Sequence, residues 1–244
     1  MKDHRSRKLF GRRAAIAAGG AGVVGLWIWG PRPAPNLVFE PARDAPGFRR
    51  LESGPITAGA DVLAGLDPGS VPTPLDDFCG ALFQGAGPQG PVRIASFSDY
   101  SCPFCKVLTQ KLAAMDRANV LVVWHELPLL GPTSRAAARG ALAAAEQGAY
   151  LRFHRRLMRA QFVPTLAYLT AIGESLSLDT ERLLRDSAGD VATRHINTSV
   201  ALAARLGIAG TPALVIEDTI VIGEISNRVL AYLIETASAR PRAC

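Results

Sequence analysis

The stretch "DYSCPFCKVL", residues 99–108, places two cysteines three positions apart, directly after a short apolar run and directly before a helical pattern. Three kinds of site contain such a pair: a metal centre, a structural disulfide and a redox-active disulfide. A structural zinc ion needs four ligands, usually as two close pairs, and Cys102 and Cys105 form one close pair without a second. A structural disulfide across two intervening residues closes too small a loop to restrain the unfolded chain much. The spacing therefore favours a redox pair, and we predict no metal.

The position of this pair at a helix start gives it a chemical mechanism. Cys102 lies at the N-terminus of the predicted helix, where unpaired backbone N–H groups and the helix dipole favour a thiolate and lower its pKa. Pro103 suits the first helical turn, because its missing N–H would have had no partner there. Cys105 lies one turn further along, placed to attack a mixed disulfide formed at Cys102. We therefore expect Cys102 to be the reactive sulfur.

The segments on both sides of the helix predict a βαβ unit. The stretch "PVRIASFSDY", which begins at Pro91, is typical of a strand, and residues 120–124 form a second, continuously apolar strand. A strand, a helix and a strand in this order indicate a parallel crossover in an α/β fold.

A second element far along the chain agrees with the redox interpretation. Thr211 and Pro212 come directly before a predicted strand over residues 213–216, followed by a two-residue turn and another strand over residues 219–222. Alone, this would be a loop proline before a strand. Together with the cysteine pair, it predicts a cis proline that brings a strand edge beside the sulfurs, with the backbone N–H and C=O of Thr211 available to a bound substrate strand.

Over roughly residues 90–238 the chain resembles the DsbA-type branch of the thioredoxin superfamily, through "FSDYSCPFCK", "GTPALVI" and the segment between them. That resemblance implies a thioredoxin-like fold with an inserted helical domain at about residues 131–207. Helical patterns fill this region, including the alanine- and arginine-rich "SRAAARGALAAAEQGAYLRFHRRLMRA". Since His154 matches a structural position of the family, we expect it to have a packing or surface role and not a catalytic one, and we expect the same of His125 and His195.

The resemblance also implies an activity. The chain would be a thiol–disulfide oxidoreductase that exchanges a Cys102–Cys105 disulfide with substrate protein thiols, most simply as an oxidase. Its supporting site residues would be Pro103, Phe104, Thr211 and Pro212. No cofactor is expected, because the electrons stay on sulfur. Re-oxidation would need a separate membrane redox partner.

Two residues depart from the pattern of the family's strong oxidants and keep other functions open. Phe104 stands where those oxidants often have histidine, and Thr211 before the proline is more typical of the disulfide isomerases. A disulfide isomerase or a reductase using the same site is therefore an alternative. A third hypothesis is a thioredoxin fold that binds client proteins without catalysis, against which the intact cysteine pair argues.

The positive charge of the chain is concentrated at its start. Of the 27 basic and 21 acidic residues, six basic and one acidic lie within residues 1–13, so that this segment carries five of the six net charges. The remaining chain is nearly neutral and lacks the surplus that neutralises phosphates. We therefore predict no nucleic-acid binding, and we interpret residues 1–13 as a basic cytoplasmic N-region.

An uncharged stretch follows the basic residues. Residues 14–30 form a 17-residue run without charge, on the border between a signal peptide and a spanning signal anchor. Trp27 and Trp29 at its far end suit a membrane interface, and no convincing cleavage site follows, which favours an anchor. Because positive charge stays in the cytoplasm, residues 31–244 would lie in the periplasm or cell envelope, tethered to the inner membrane.

Residues 31–90 contain ten prolines and predict a proline-rich tether with an irregular stretch and one short strand near residues 37–39. The thioredoxin-like domain would then span residues 91–238, with residues 239–244 as a C-terminal tail. Cys79 and Cys244 flank this domain. Free thiols tend to be oxidised outside the cytoplasm, so a structural Cys79–Cys244 disulfide is one expectation and an unpaired or intermolecular terminal cysteine is the other.

Overall fold

The computed structural model describes residues 35–58, 75–87, 89–115, 118–161, 164–240 and 242–244. The predicted basic N-region and signal anchor lie outside these residues. Within the described residues, no helix is both long enough and apolar enough to cross a membrane.

The described part of residues 36–244 forms one compact unit built on a mixed sheet. Its elements, in chain order, are β1 (Glu40–Pro41), β2 (Arg49–Glu52), α1 (Phe78–Phe83), β3 (Val92–Ser98), α2 (Pro103–Ala113), β4 (Val120–Glu126), α3 (Pro132–Ala145), α4 (Tyr150–Arg159), α5 (Leu166–Ser175), α6 (Thr180–Ala188), α7 (Asp190–Arg205), β5 (Ala213–Ile216), β6 (Thr219–Ile222) and α8 (Asn227–Ser238). In the described residues the six strands lie in the order β1-β2-β6-β5-β3-β4.

The predicted crossover forms the centre of this sheet. β3 and β4 are parallel and are joined through α2, while β5 runs antiparallel to β3 and β6 antiparallel to β5. Every residue of β3, β5 and β6 is buried, which explains the apolar runs of β5 and β6, since helices or other strands cover both faces. The mixed α/β, thioredoxin-like fold with additional helices is therefore confirmed.

Five consecutive helices, α3 to α7, lie between β4 and β5. Alanine and glycine on α3 permit close packing: a Cβ added at Gly140 would lie 3.4 Å from Leu169 and 3.6 Å from Phe153. The buried side chains of α4 and α7 join the same apolar cluster as β3 and β5. The helices therefore pack against the core that also holds the two free cysteines.

Within residues 35–58 and 75–87 the structure differs from the expectation of an irregular tether, while the rest of that predicted segment up to residue 88 lies outside the described residues. The expected strand near residues 37–39 instead lies at β1, and β2 continues the sheet by pairing in parallel with β6. Side chains hold β2 in place, because the Arg50 guanidinium donates to the carbonyls of Leu206 and Gly207 at 2.7 and 3.0 Å. The prolines do not prevent this pairing, since Pro41 lies in the outermost strand, where no neighbour needs its missing N–H.

The C-terminal residues are fixed to the body of the domain and do not form a free tail. Cys244 is joined to Cys79 of α1 by a disulfide with a Cα–Cα distance of 5.4 Å. The carbonyl of Cys244 also accepts hydrogen bonds from the Arg93 guanidinium, which forms a buried ion pair with Glu217 at 2.7 Å. Covalent and ionic contacts therefore converge on the chain end.

Candidate active site

The first turn of α2 carries the cysteine pair. Cys102 is the N-cap residue, its sulfur accepts a hydrogen bond from the Cys105 N–H at 3.3 Å, and Pro103 occupies the first turn. Both cysteines are free thiols with no exposed surface. The start of α2 therefore directs one backbone N–H, that of Cys105, towards the Cys102 sulfur.

The Thr211–Pro212 peptide lies against this sulfur. The bond is cis, and the carbonyl of Thr211 accepts a hydrogen bond from the Cys102 thiol at 3.4 Å. The Pro212 carbonyl in turn accepts from the Gly223 N–H at 3.0 Å, which ties the loop to the end of β6. Two segments that are 109 residues apart in the sequence thus form one site.

The pKa values of the two thiols are shifted in opposite directions. The pKa of Cys102 is lowered from 9.0 to about 6, chiefly by a hydrogen bond from the Cys105 thiol and further by Thr57 and Thr211, against the opposing effect of burial. Burial raises the pKa of Cys105 well above its ordinary value. At neutral pH the pair therefore holds one thiolate, at Cys102, and one thiol.

This difference predicts a selective alkylation reaction. In the reduced protein, the iodoacetamide rate at Cys102 should rise with pH through a midpoint near 6 and then level off, because the thiolate is the nucleophile. Cys105 should stay unmodified up to pH 8. Mass spectrometry of alkylated peptides measures both sites. Equal labelling of the two thiols, or a Cys102 midpoint near 9, would contradict the assignment.

A buried carboxylate shapes the loop before Cys102. Asp99 accepts hydrogen bonds from the Ser101 N–H, the Ser134 hydroxyl and the Leu130 N–H at 2.7, 2.7 and 3.0 Å. Its backbone carbonyl accepts from the Cys102 N–H at 3.1 Å. Burial raises the pKa of Asp99, while these hydrogen bonds lower it. Asp99 therefore fixes the position of the cysteine loop relative to the start of α3.

Tyr100 leads from the same loop to a second buried polar group. The hydroxyls of Tyr100 and Tyr150 both donate to Glu126 Oε1 at 2.6 Å, and Tyr100 also lies 2.8 Å from His154 Nδ1. Burial raises the pKa of both tyrosines well above the ordinary value, so they remain hydrogen-bond donors. These contacts join β4 and α4 to the cysteine loop.

Among the described residues, the three histidines form no hydrogen bond with Cys102 or Cys105. His154 is buried between Tyr100, Tyr150 and Trp124. His125 stacks on Phe97 and donates from Nε2 to the Leu82 carbonyl at 2.9 Å, and burial lowers its pKa to about 4. His195 is exposed.

Phe104, between the two cysteines, is half-buried and packs against the main apolar cluster. A phenyl ring offers neither a charge nor a hydrogen bond to the neighbouring sulfur. The stabilisation of the Cys102 thiolate therefore comes from the cysteine loop, the helix start and the residues around Thr211.

Sequence reasoning missed four residues of this site: Asp99, Tyr100, Glu126 and Thr57. The first two lie inside the quoted "DYSCPFC" stretch, and the third is an acid at the end of a buried apolar strand, so their signal was present. Buried acids need partners, which made Glu126 a recognisable candidate. Thr57 carries no such signal, because its contact with the site depends on a distant strand pairing.

A sequence model of the DSBA-like thioredoxin domain family matches residues 93–235, which is more than half of the chain. Among solved structures, the chain is similar to a thioredoxin-like oxidoreductase from Silicibacter pomeroyi, with 35% identity and a TM-score of 0.61, covering 67% of this chain and 99% of that one. The catalytic domain of Proteus mirabilis ScsC is similar at 27% identity and TM-score 0.59, with 68% and 97% covered. A periplasmic thioredoxin-like protein from Salmonella enterica shows 25% identity and TM-score 0.57, with 69% and 99% covered.

A curated relative of another description also matches. The Na(+)/H(+) antiporter NhaA 3 of Salinispora tropica is 30% identical over 158 residues, which is 63% of this chain and 24% of the antiporter. The chain thus spans about a quarter of the length of the curated relatives that it matches.

Proposed function

The chain belongs to the DsbA-like thioredoxin family of thiol–disulfide oxidoreductases, and from this premise we propose that it oxidises protein thiols in the cell envelope through a Cys102–Cys105 disulfide. The observation that carries this proposal is the position of two free thiols in the first turn of α2, against the cis Thr211–Pro212 peptide, with a lowered pKa at Cys102 and a raised pKa at Cys105. A pair of this kind holds one good leaving group and one group that stays protonated.

The reaction takes two exchanges. A client thiolate attacks Cys102 of the disulfide, forming a client–Cys102 bond, and Cys105 departs as a thiolate that takes up a proton because its pKa is high. A second client thiolate then attacks the client sulfur of this mixed disulfide, and Cys102 leaves as a stabilised thiolate. The client loses two electrons to the cysteine pair, and no cofactor takes part.

The low pKa of Cys102 supports the oxidising direction. A thiolate that the folded protein stabilises favours the reduced enzyme, so the disulfide is more readily consumed. The stabilisation grows as the pH rises from about 6 towards 9, where the ordinary thiol also ionises, and it is lost below about 6. The oxidising strength should therefore be greater at pH 7 than at pH 5, relative to a dithiol with ordinary pKa values.

The direction is tested by two measurements on the same protein. The reduction potential of the pair, from equilibrium with glutathione, should lie above that of thioredoxin, about −270 mV. The oxidised enzyme should also introduce disulfides into a reduced, unfolded client faster than the reduced enzyme reduces insulin. Rapid insulin reduction with a potential at or below that of thioredoxin would favour the reductase, and preferential reshuffling of a scrambled client would favour the isomerase, for which Thr211 before Pro212 is the specific sequence observation.

Phe104→His is expected to make the pair more oxidising. Histidine adds a hydrogen-bond donor or a positive charge beside the Cys102 thiolate, which the phenyl ring cannot provide. Each tenfold stabilisation of the reduced form corresponds to about 30 mV, and we expect an increase of roughly that size. Phe104→Leu serves as the matched control and should leave the potential unchanged. No increase with histidine would show that the existing hydrogen bonds already determine the potential.

We also propose an envelope location with an inner-membrane tether at residues 14–30, and a membrane protein as the oxidant of the reduced enzyme. The basic start, the uncharged run and two interfacial tryptophans support the tether. The similar Salmonella protein is described as periplasmic, which supports the compartment.

The tether has a direct test in the native host. Carbonate-washed membranes should retain the full-length protein with its basic N-terminus. A released form that begins near residue 31 would show a cleaved signal peptide in place of an anchor. Recovery in the cytoplasmic fraction would contradict the envelope location altogether.

A further inference from the structure

Residues 54–58, here called the 54–58 segment, lie across the redox site. The segment leaves β2 along the end of β6: the Ser53 N–H donates to the Ile222 carbonyl at 3.1 Å, and the Glu224 N–H donates to the Pro55 carbonyl at 3.2 Å. These contacts direct the chain from the sheet towards the loop that precedes β5.

At Thr57 the segment reaches the residue before the cis proline. The Thr57 N–H donates to the Thr211 carbonyl at 2.7 Å, and the Thr211 N–H donates to the Thr57 carbonyl at 2.9 Å, so the two residues form an antiparallel bridge. These are the two backbone groups of Thr211 that an added client strand would use. In this structure the chain itself occupies both of them.

The bridge to Thr211 places Thr57 beside the reactive sulfur, because the Thr211 carbonyl also accepts a hydrogen bond from the Cys102 thiol at 3.4 Å. In agreement with this position, the Thr57 side chain is among the causes that lower the pKa of Cys102. Cys102 has no exposed surface, although Thr57 itself is partly exposed. Threonine Oγ1 and cysteine Sγ are both bonded to Cβ, so the hydroxyl of Thr57 corresponds to the thiol of a cysteine in a client strand that pairs with Thr211 in the same register.

The close approach of this segment depends on glycines. A Cβ added at Gly54 would lie 1.9 Å from the Glu224 carbonyl oxygen, and one added at Gly223 would lie 2.2 Å from the Gly54 carbonyl oxygen. At Gly210, next to Thr211, the added Cβ would lie 2.9 Å from Ile56 and 3.1 Å from the Thr57 carbonyl oxygen. At all three glycines the backbone lies too close to another stretch of backbone to leave free room for a side chain. The segment is therefore packed tightly against the loop before β5 and the end of β6.

We propose that the 54–58 segment is a built-in substitute for a client strand, with Thr57 in the place of the client's reactive cysteine. A client reaches Cys102 by displacing this segment from Thr211. The proposal rests on the proposed function in one respect, that clients pair with Thr211 as an added strand. Because the segment carries no charged residue, the occupant that it mimics is an extended, uncharged stretch of protein with a cysteine in the position of Thr57.

A cysteine placed at position 57 tests the position of the side chain. In a Cys105→Ser background, Thr57→Cys is incubated with glutathione disulfide. Cys102 first forms a mixed disulfide with one glutathione and releases the other as a thiolate, and the introduced thiolate then attacks Cys102 and releases the second glutathione. We expect nearly complete formation of a disulfide between position 57 and Cys102, identified by non-reducing peptide mapping.

Ala58→Cys in the same background is the matched control. Successive side chains of an extended segment point to opposite sides, so a thiol at position 58 should remain free or bind glutathione. No link from position 57 to Cys102, or equal links from positions 57 and 58, would overturn the proposal.

A second experiment tests whether the segment covers the sulfur. Thr57→Pro removes the N–H that donates a hydrogen bond to the Thr211 carbonyl, which weakens the pairing of the segment with Thr211. We therefore expect Cys102 to react with iodoacetamide about tenfold faster than in the parent. Because Cys105 and Thr57 both contribute to the low pKa of Cys102, the comparison is made in the Cys105→Ser background over a pH series, and the limiting rates above each variant's own midpoint are compared. Ala58→Pro keeps both bridge hydrogen bonds and an extended Thr57, and should react at the parental rate. An unchanged or slower reaction of Thr57→Pro would overturn the proposal.

Both experiments are independent of turnover. A protein that exchanges disulfides with clients but forms no link from position 57 would retain the proposed function and lose the substitute strand. A protein that forms the link but neither oxidises nor reduces any client would retain the contact and lose the proposed function. The experiments can therefore contradict the substitute strand without contradicting the proposed function, and the reverse.

Discussion

Cys102→Ser is expected to reduce client oxidation to the uncatalysed rate. The client thiolate attacks the Cys102 sulfur, and serine can neither form the disulfide nor leave as a stabilised thiolate. The fold should survive, because a hydroxyl at the N-cap accepts the Cys105 N–H as well as a sulfur does. A thermal unfolding curve together with the rate of disulfide formation in a reduced client checks both statements.

Cys105→Ser should fail in a different way. Without its partner, Cys102 can still form a mixed disulfide with a client or with glutathione, and Cys105 is no longer present to release a client that stays bound. We expect high-mass adducts on non-reducing gels that disappear on reduction. Ser101→Ala, beside the pair, is the control and should form none. Residual turnover of Cys102→Ser above a few per cent of wild type would show that another group accepts the client thiolate.

The parts of this site that could be predicted from the sequence are those determined by residues close together in the chain. Cys102 comes directly before Pro103, which marks a helix start because proline is preferred in the first helical turn. The strands after Pro212 have continuous apolar runs separated by a two-residue turn, so their bounds were also predictable. For such elements the interactions that decide the structure lie within a few residues of each other.

The parts that the sequence could not predict depend on distant pairing. β2 contains only four residues, two of them arginines, and becomes a strand because β6, about 170 residues later, offers it a partner edge. Prolines dominate the local pattern there, and a tether is the natural expectation. Thr57 was missed for the same reason. It lies beside Cys102 only because β2, which precedes it, pairs with β6.

The second large effect that we expect is a loss of stability when the Cys79–Cys244 disulfide is removed. Removing it with Cys79→Ser/Cys244→Ser should lower the free energy of unfolding by about 4–5 kcal/mol, because the bond joins residues 165 positions apart and the entropy lost by the unfolded chain grows with loop length. For a domain of this size that corresponds to a decrease in Tm of roughly 10 °C or more. Differential scanning calorimetry of the variant and the wild type measures it.

Part of the loss would come through the neighbouring charges. The carbonyl of Cys244 accepts hydrogen bonds from the guanidinium of Arg93, which forms a buried ion pair with Glu217. When the disulfide is absent and Cys244 moves away, these N–H groups of Arg93 lose that acceptor. Arg242→Gln separates the two contributions: it keeps the disulfide but removes the contacts of Arg242 with the Gly90 carbonyl and with the buried Glu217 carboxylate at 3.4 Å, and should lower Tm by less than the double variant does.

The redox reaction should be nearly indifferent to the loss of this bond. Neither Cys79 nor Cys244 contributes to the hydrogen bonds and pKa shifts of Cys102 and Cys105. Below its melting temperature, the double variant should therefore oxidise a reduced client within about twofold of the wild-type rate, with an unchanged midpoint for Cys102 alkylation. A protein as stable as wild type would show that the chain end is held without the bond, and a shifted midpoint would show that the bond also shapes the redox site.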